Sequence, residues 1–348
     1  MKSKKYYELY KSVKENILCG NYPPCHKLPS KRVMADMFGC SIITVENAYG
    51  MLYEEGYIDC KERSGYWVKK LDGFYSDNTQ NSKSIELLQQ EKSLSGRSFE
   101  YSTWVKTIRK VVGEKGELLF EKSPAFGVGE LRNAISLYLL RYRGMFAQPK
   151  NVVIGSGAEQ LYENALKLLG RDRTFGIEDP CYQGIKAVYQ SEGVNIAQLK
   201  MGKDGILTDQ LKKPFSVLHV TPFNSYPSNI TATVGKRFEY LSWAKADKNR
   251  FIIEDDFASE FYTNPIDSLY KMGGGEKVIY INTFSKSLSP SMRMGYMILP
   301  DVLLEKYNLL FGGFSCSVPV LDQYVLAEFI SSGSFERHLN KTRRKLNK

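Results

Sequence analysis

The sequence is short of the residues that build metal centres. It has only three histidines (His26, His219, His338), and its six cysteines (Cys19, Cys25, Cys40, Cys60, Cys181, Cys316) include no CxxC pair. A structural zinc site is not expected, and the chain reads as a reduced, cytoplasmic protein. No apolar run approaches the roughly 20 residues that span a bilayer. The N-terminus is basic but lacks an apolar core and a small-residue cleavage site, so it is not a secretory signal. With 43% hydrophobic and 25% charged residues, disorder and collagen-like repeats are also excluded. The 348 residues exceed what one small core needs and favour two domains.

The net charge of +10 is unevenly distributed. Residues 1–70 hold 12 Lys/Arg against 8 Asp/Glu, and residues 336–348 hold 6 against 1. The long middle is nearly neutral. A basic module at the end of a neutral body suits polyanion binding, although so small a surplus also suits an ordinary surface.

Tyr7 to Cys19 carries Leu9, Val13, Ile17 and Leu18 at helical spacing. The Gly/Pro-rich stretch GNYPPCHKLPS then breaks the helix. Ser30 is placed to N-cap KRVMADMF, and Gly39 to close it. Ser41 caps a further helix, with Ile43, Val45, Ala48, Tyr49 and Leu52 as its buried stripe and Gly56 as its end. Two helices joined by the short turn FGCS form a helix-turn-helix, and YIDCKERSGYWVKK reads as two strands of a wing. Such a module either enters a major groove or is a small helical domain without nucleic acid.

These residues, LPSKRVMADMFGCSIITVENAYGMLYEEGYI with RSGYWV, resemble the winged helix of GntR-type bacterial regulators. The resemblance implies a DNA-binding domain over residues 1–70 and contacts to double-stranded operator DNA from Arg32, Ser41, Thr44, Lys61 and Arg63. The family's usual Ser-Arg at the start of the recognition helix is here Ser41-Ile42, so an arginine that reads guanine is missing. Glu46 adds a charge of the same sign as phosphate. Weaker binding or an unusual operator is expected. Residues 71–97, rich in Ser, Asn, Gln and Lys, read as a flexible linker.

Beyond residue 98, helical patterns such as VGELRNAISLYLLRYRG alternate with strand candidates NVVIG, TFGIED, SVLHVTP, RFIIEDD, KVIYINTF and GYMILP. That alternation implies a mostly parallel sheet with ligands at its carboxyl edge. Four features fall at strand ends. Gly155-Ser156-Gly157-Ala158 leads into a helix N-terminus, which favours phosphate. Asp255 and Asp256 end a buried strand, as capping or metal carboxylates or as cofactor partners. Lys286 follows another strand, with Thr283, Ser285 and Arg293 nearby, and is either a depressed-pKa amine or a surface lysine. Tyr182 covers a planar ring or fills the core.

In order and separation, these segments resemble the fold-type I, pyridoxal-phosphate-dependent aminotransferases. The whole chain is similar to MocR/GabR-type regulators, in which a GntR winged helix is fused to such a domain. The resemblance implies a multidomain α+β and α/β protein whose residues 98–348 form an aminotransferase-like domain with a mostly parallel central sheet. It implies pyridoxal 5′-phosphate held as an internal aldimine on Lys286, with Asp255 paired to the ring nitrogen. Gly157, Ala158, Thr283, Ser285 and Arg293 would hold the phosphate, Tyr182 would stack on the ring, and Asn224 would lie near its hydroxyl. A homodimer and a small amino-compound effector, or the cofactor itself as signal, are implied too.

Three departures bear on function. Phe257 stands where the family has a tyrosine that hydrogen-bonds the ring hydroxyl. Asn229 stands where glycine is usual, and asparagine tolerates a left-handed backbone. The chain ends at RHLNKTRRKLNK, where the family continues into a C-terminal subdomain with a carboxylate-gripping arginine. A truncated domain with this basic tail as an exposed helix start is therefore expected. Phe257, the missing arginine and the fused winged helix favour a regulator over a working aminotransferase, and a cofactor-free dimeric repressor stays open as the other alternative.

Overall fold

The computed structural model describes residues 5–18, 21–61, 64–69, 99–257, 259–261 and 266–346. The chain divides into two compact units, residues 1–79 with 232–240 and residues 80–231 with 241–348. The linker read at 71–97 lies outside the described residues, as does Arg63.

In the N-terminal unit, α1 (Lys5–Leu18), α2 (Lys31–Phe38) and α3 (Ile42–Glu54) precede an antiparallel wing of β1 (Ile58–Lys61) and β2 (Gly65–Val68). Both serine caps form as expected. Ser30 Oγ accepts from the Val33 N–H at 3.3 Å, and Ser41 Oγ from the Thr44 N–H at 3.2 Å. Gly39 closes α2 at φ +56, a left-handed position that suits glycine. Leu9, Val13, Ile17, Val45, Ala48, Tyr49 and Leu52 are buried together. Ile43 is not part of that stripe. It is 69% exposed, because the first turn of α3 projects beyond the elements that cover the rest of the helix.

A polar cluster sits inside this small core. The Lys14 ammonium donates to Glu55 Oε2 at 2.8 Å and to the Tyr10 hydroxyl at 2.7 Å. Tyr10 donates to Glu55 Oε1 at 2.5 Å. Both members of the ion pair are buried, so it ties α1 to the end of α3 away from water.

The large unit opens with α4 (Tyr101–Lys115) and α5 (Gly129–Tyr138), the latter running into a π-helical turn at Leu139–Arg143. Its sheet comprises β3 (Val152–Gly155), β4 (Thr174–Asp179), β5 (Asn195–Gly202), β6 (Gly205–Ile206), β7 (Val217–Val220), β8 (Phe251–Asp255), β9 (Val278–Thr283) and β10 (Gly295–Ile298). Their order is β3-β10-β9-β8-β7-β4-β5-β6. The ladders from β5 through β4, β7 and β8 to β9 are parallel, while β10 is antiparallel to both neighbours. All six strand candidates form. The polar, half-exposed β5 near the sheet edge was not among them.

Helices α6 (Ala158–Leu169) and α7 (Gln183–Ser191) cover the sheet, with Leu161, Ala165, Leu168, Ile185 and Tyr189 packed against Val153, Phe175, Ile253 and Ile279. The last described element, α9 (Ser334–Leu346), corrects the expectation of an exposed basic tail. Phe335, His338, Leu339 and Thr342 bury one of its faces, and Arg343 Nε donates to the Glu260 carbonyl at 2.8 Å. The basic run therefore belongs to an amphipathic helix.

Candidate functional site

Because β3, β4, β7, β8 and β9 run parallel in direction, their carboxyl ends share one edge of the sheet. At the end of β3 the chain turns through Ser156 and Gly157 into α6. Gly157 has φ +92, and a Cβ there would lie 3.0 Å from Arg293 Nη2 and 3.2 Å from its Cζ. Glycine thus both permits the turn and leaves room for the guanidinium. Arg293 itself is left-handed at φ +35, in the turn before β10, and pairs with Glu159 Oε2 at 2.8 Å. Thr283 closes β9, and Ser285 lies in the short α8 (Phe284–Ser287) that follows. A helix N-terminus beside a guanidinium can cradle an anion.

After β9, Lys286 lies in α8 with its ammonium 3.9 Å from the centroid of the Phe257 ring. The residue as a whole is exposed, yet partial desolvation of its amine pulls the pKa down to about 8, while the Asp255 carboxylate acts the other way. Asp255 ends β8, next to β9, and is fully enclosed. Burial pushes its pKa up to about 7, a hydrogen bond from Tyr162 lowers it, and the neighbouring Asp256 raises it. The Tyr162 phenol of α6 donates to Asp255 Oδ2 at 2.6 Å.

The two adjacent aspartates have different partners. Asp256 takes a 2.8 Å bond from Arg143 and further bonds from Ser259 at 2.6 Å and Tyr280 at 2.8 Å. Burial alone would raise Asp256, but Arg143 and these donors hold it below the usual range. Asp256 is a structural carboxylate in a buried network, whereas Asp255 has, among the described residues, one neutral donor and a nearby amine.

Tyr182 caps α7 at the end of the β4 loop and is 41% exposed, with its ring 6.5 Å from that of Tyr226. Asn224 is buried at φ +52, and its N–H donates to Thr231 Oγ1 at 3.0 Å. Asn229 adopts φ +57, the left-handed turn expected of it. Glu178, buried at the end of β4, accepts from Ser225 at 2.5 Å, and burial pushes it up to about 8.

In the N-terminal unit, Arg32 is exposed on α2. Ser41 and Thr44 bond each other at 2.9 Å at the start of α3. Lys61 ends β1 at the tip of the wing. Glu46, read from the sequence as a charge of the same sign as phosphate, pairs with Lys31 at 2.5 Å, which lessens its repulsion of an approaching phosphate. Motif reading missed Lys31, Glu159 and Tyr162. Lys31 adjoins a named arginine, whereas the Tyr162 contact joins residues 93 apart and leaves no local mark.

The model for the bacterial regulatory proteins of the gntR family matches residues 5–68. The HTH-type transcriptional regulator YdeL of Bacillus subtilis is 34% identical over 97% of this chain and 76% of its own length. The probable rhizopine catabolism regulatory protein MocR of Rhizobium meliloti is 27% identical over 97% of this chain and 74% of its own. Among solved structures, a kynurenine aminotransferase of Pyrococcus horikoshii superposes with TM-score 0.65 at 19% identity, over 78% of this chain and 73% of its own. That likeness shows the fold of the large unit, a helix-rich α/β domain around a mostly parallel sheet. No helix among the described residues is long and apolar enough to cross a membrane.

Proposed function

The chain belongs to the MocR-type transcription regulators of the GntR family, and from that premise we propose that its aminotransferase-like unit binds pyridoxal 5′-phosphate on Lys286 and senses a small amino compound or the cofactor itself. One observation carries the cofactor reading. An amine of depressed pKa and a buried carboxylate that lacks a strong cationic partner stand on adjacent strand ends, beside an anion cradle. The cofactor suits all three. Its phosphate suits the helix N-terminus beside Arg293, its ring nitrogen suits Asp255, and its carbonyl suits a lysine that is partly neutral near pH 8.

When bound, the cofactor supplies an electron sink for amines. The protein's residues do the rest. Ala158 would offer its backbone N–H to the phosphate, joined by that of Gly157 on leaving the Gly155 carbonyl it meets at 3.0 Å, and Thr283, Ser285 and Arg293 would add hydroxyl and guanidinium donors. Asp255 would balance positive charge on the ring. Tyr182 would stack on the ring, and Asn224 would serve its hydroxyl. Phe257 offers no hydrogen bond there, which favours sensing over turnover. In the winged helix, Arg32, Ser41, Thr44, Lys61 and Arg63 contact the operator backbone. Two such modules in a homodimer set the spacing of half-sites, and effector binding shifts that geometry.

The test is the visible absorbance of the protein with added cofactor, compared with Lys286→Ala, followed by borohydride reduction and peptide mass mapping. A band lost in the variant, with the reduced adduct on Lys286, is expected. Identical spectra from both proteins would refute cofactor attachment at Lys286.

A further inference from the structure

Asp255 faces a physical problem. It is fully enclosed, and enclosure favours its neutral form, yet a protonated carboxyl cannot balance charge on a ring nitrogen. Most charges around it make matters worse. Asp256, next along the chain, and Glu159 on α6 both oppose its ionisation. Buried Glu178 and Tyr189 also lie within its electrostatic reach. Two groups help, Lys286 and Tyr162. The help from Lys286 depends on its own proton, which it loses near pH 8. The help from Tyr162 does not, because burial and Asp255 hold the phenol well above its usual pKa, so it remains a donor.

The phenol is also held in place. Tyr162 is 1% exposed, and its ring meets the His219 ring edge-on with centroids 4.9 Å apart. His219 Nδ1 shares a 2.6 Å hydrogen bond with the Tyr189 hydroxyl. Burial drives the His219 pKa down to about 3, so the imidazole is neutral and adds no charge. Tyr162, His219 and Tyr189 come from α6, β7 and α7, so three elements fix the direction of one phenolic hydrogen.

We propose that Tyr162 is a positioning residue for the cofactor: by donating to Oδ2 it favours the ionised form of Asp255 and leaves Oδ1 for a ring nitrogen. This rests on the cofactor reading above, and the test separates the two. In cofactor-free protein, the infrared carbonyl band of protonated Asp255, identified by its loss in Asp255→Asn, is followed against pH. Tyr162→Phe keeps the ring and its packing on His219 but removes the donor. Its midpoint rises by about one pH unit or more, the size of shift expected from losing a hydrogen bond to a charged group.

With cofactor added, the acidic limb of the affinity-pH profile moves up by the same amount, while Tyr162→Phe changes nothing in an Asp255→Asn background. An unmoved midpoint overturns the proposal. So does an equal loss of affinity at every pH, which is the mark of a merely structural role. Absence of any Lys286-dependent band in the unaltered protein removes the cofactor reading, and with it the purpose assigned to Tyr162, whatever the infrared midpoint does.

Discussion

Replacing Glu159 by glutamine should tighten anion binding, against the usual result of altering a site. Its carboxylate holds Arg293 at 2.8 Å, and the two side chains are 36% and 58% exposed, respectively. An exposed pair of this kind is worth roughly 0.2–1 kcal/mol, and an incoming phosphate must displace it. Glu159 then remains a negative charge in the first turn of the helix that receives the phosphate. At ~6 Å and an effective dielectric of ~60, each pair of unit charges repels by ~1 kcal/mol. Together these predict a gain of about 1–2 kcal/mol, or roughly five- to thirty-fold in affinity. A small loss of stability, about 0.3–1 kcal/mol, follows from removing an acid near a helix N-terminus. Calorimetric titration with inorganic phosphate and with the cofactor, at low and high salt, reads the effect. The gain should shrink as salt screens both terms. Unchanged or weaker phosphate binding at low salt would refute the cradle as described.

Three further outcomes are expected. Cofactor-free protein should lose thermal stability as pH rises from about 6.5 to 8, because burial raises Glu178 and Glu254 to about 8 and Asp255 and Glu260 to about 7. Over that window the folded state holds protons that the unfolded chain has released, which outweighs the opposite effect of His219 and Lys286 with their lowered pKa values, so a melting temperature that climbs with pH would contradict the burial of these groups. In the winged helix, Glu55→Leu removes the carboxylate opposite buried Lys14 and should cost about 3–5 kcal/mol in urea unfolding, with most of it recovered by adding Lys14→Met. Arg32→Ala should weaken duplex binding about equally for all sequences and lower the slope of log affinity against log salt by about one, as measured by fluorescence anisotropy; a loss confined to one base position would mean that Arg32 reads bases.

Much of the architecture was legible because it depends on local chemistry. Ser30 and Ser41 each have an oxygen within reach of the N–H three residues on, and Gly39 permits the left-handed closure, so both helix starts and one end could be read from short strings. The continuous apolar strands VIYIN and FII marked the sheet centre, where both faces are covered. β5 was missed because its exposed and half-buried polar positions lack that signature. Ile43 was misplaced because helical period says which residues share a face, not where the covering layer stops. The strand ends placed Asp255 and Lys286 near each other, since parallel strands deliver their termini to one edge. Tyr162 could not be found that way. A tyrosine in the apolar stripe of α6 is ordinary until a carboxylate from a distant strand arrives at its hydroxyl, and only the fold brings them together.

The backbone of Arg293 has a consequence for how such a protein can change. A side chain held at φ +35 costs on the order of 1–2 kcal/mol, which a glycine at the same place would not incur. The turn before β10 therefore sets two demands against each other: the chain would fold more firmly with glycine, and only the arginine reaches across to Gly157. In a lineage that still depends on an anion in this cradle, the arginine is retained at a standing cost in stability. In one that has ceased to need it, the first mutation to spread should be the one that relaxes the turn. The identity of the residue at position 293 is thus a record of whether the cradle is still in use.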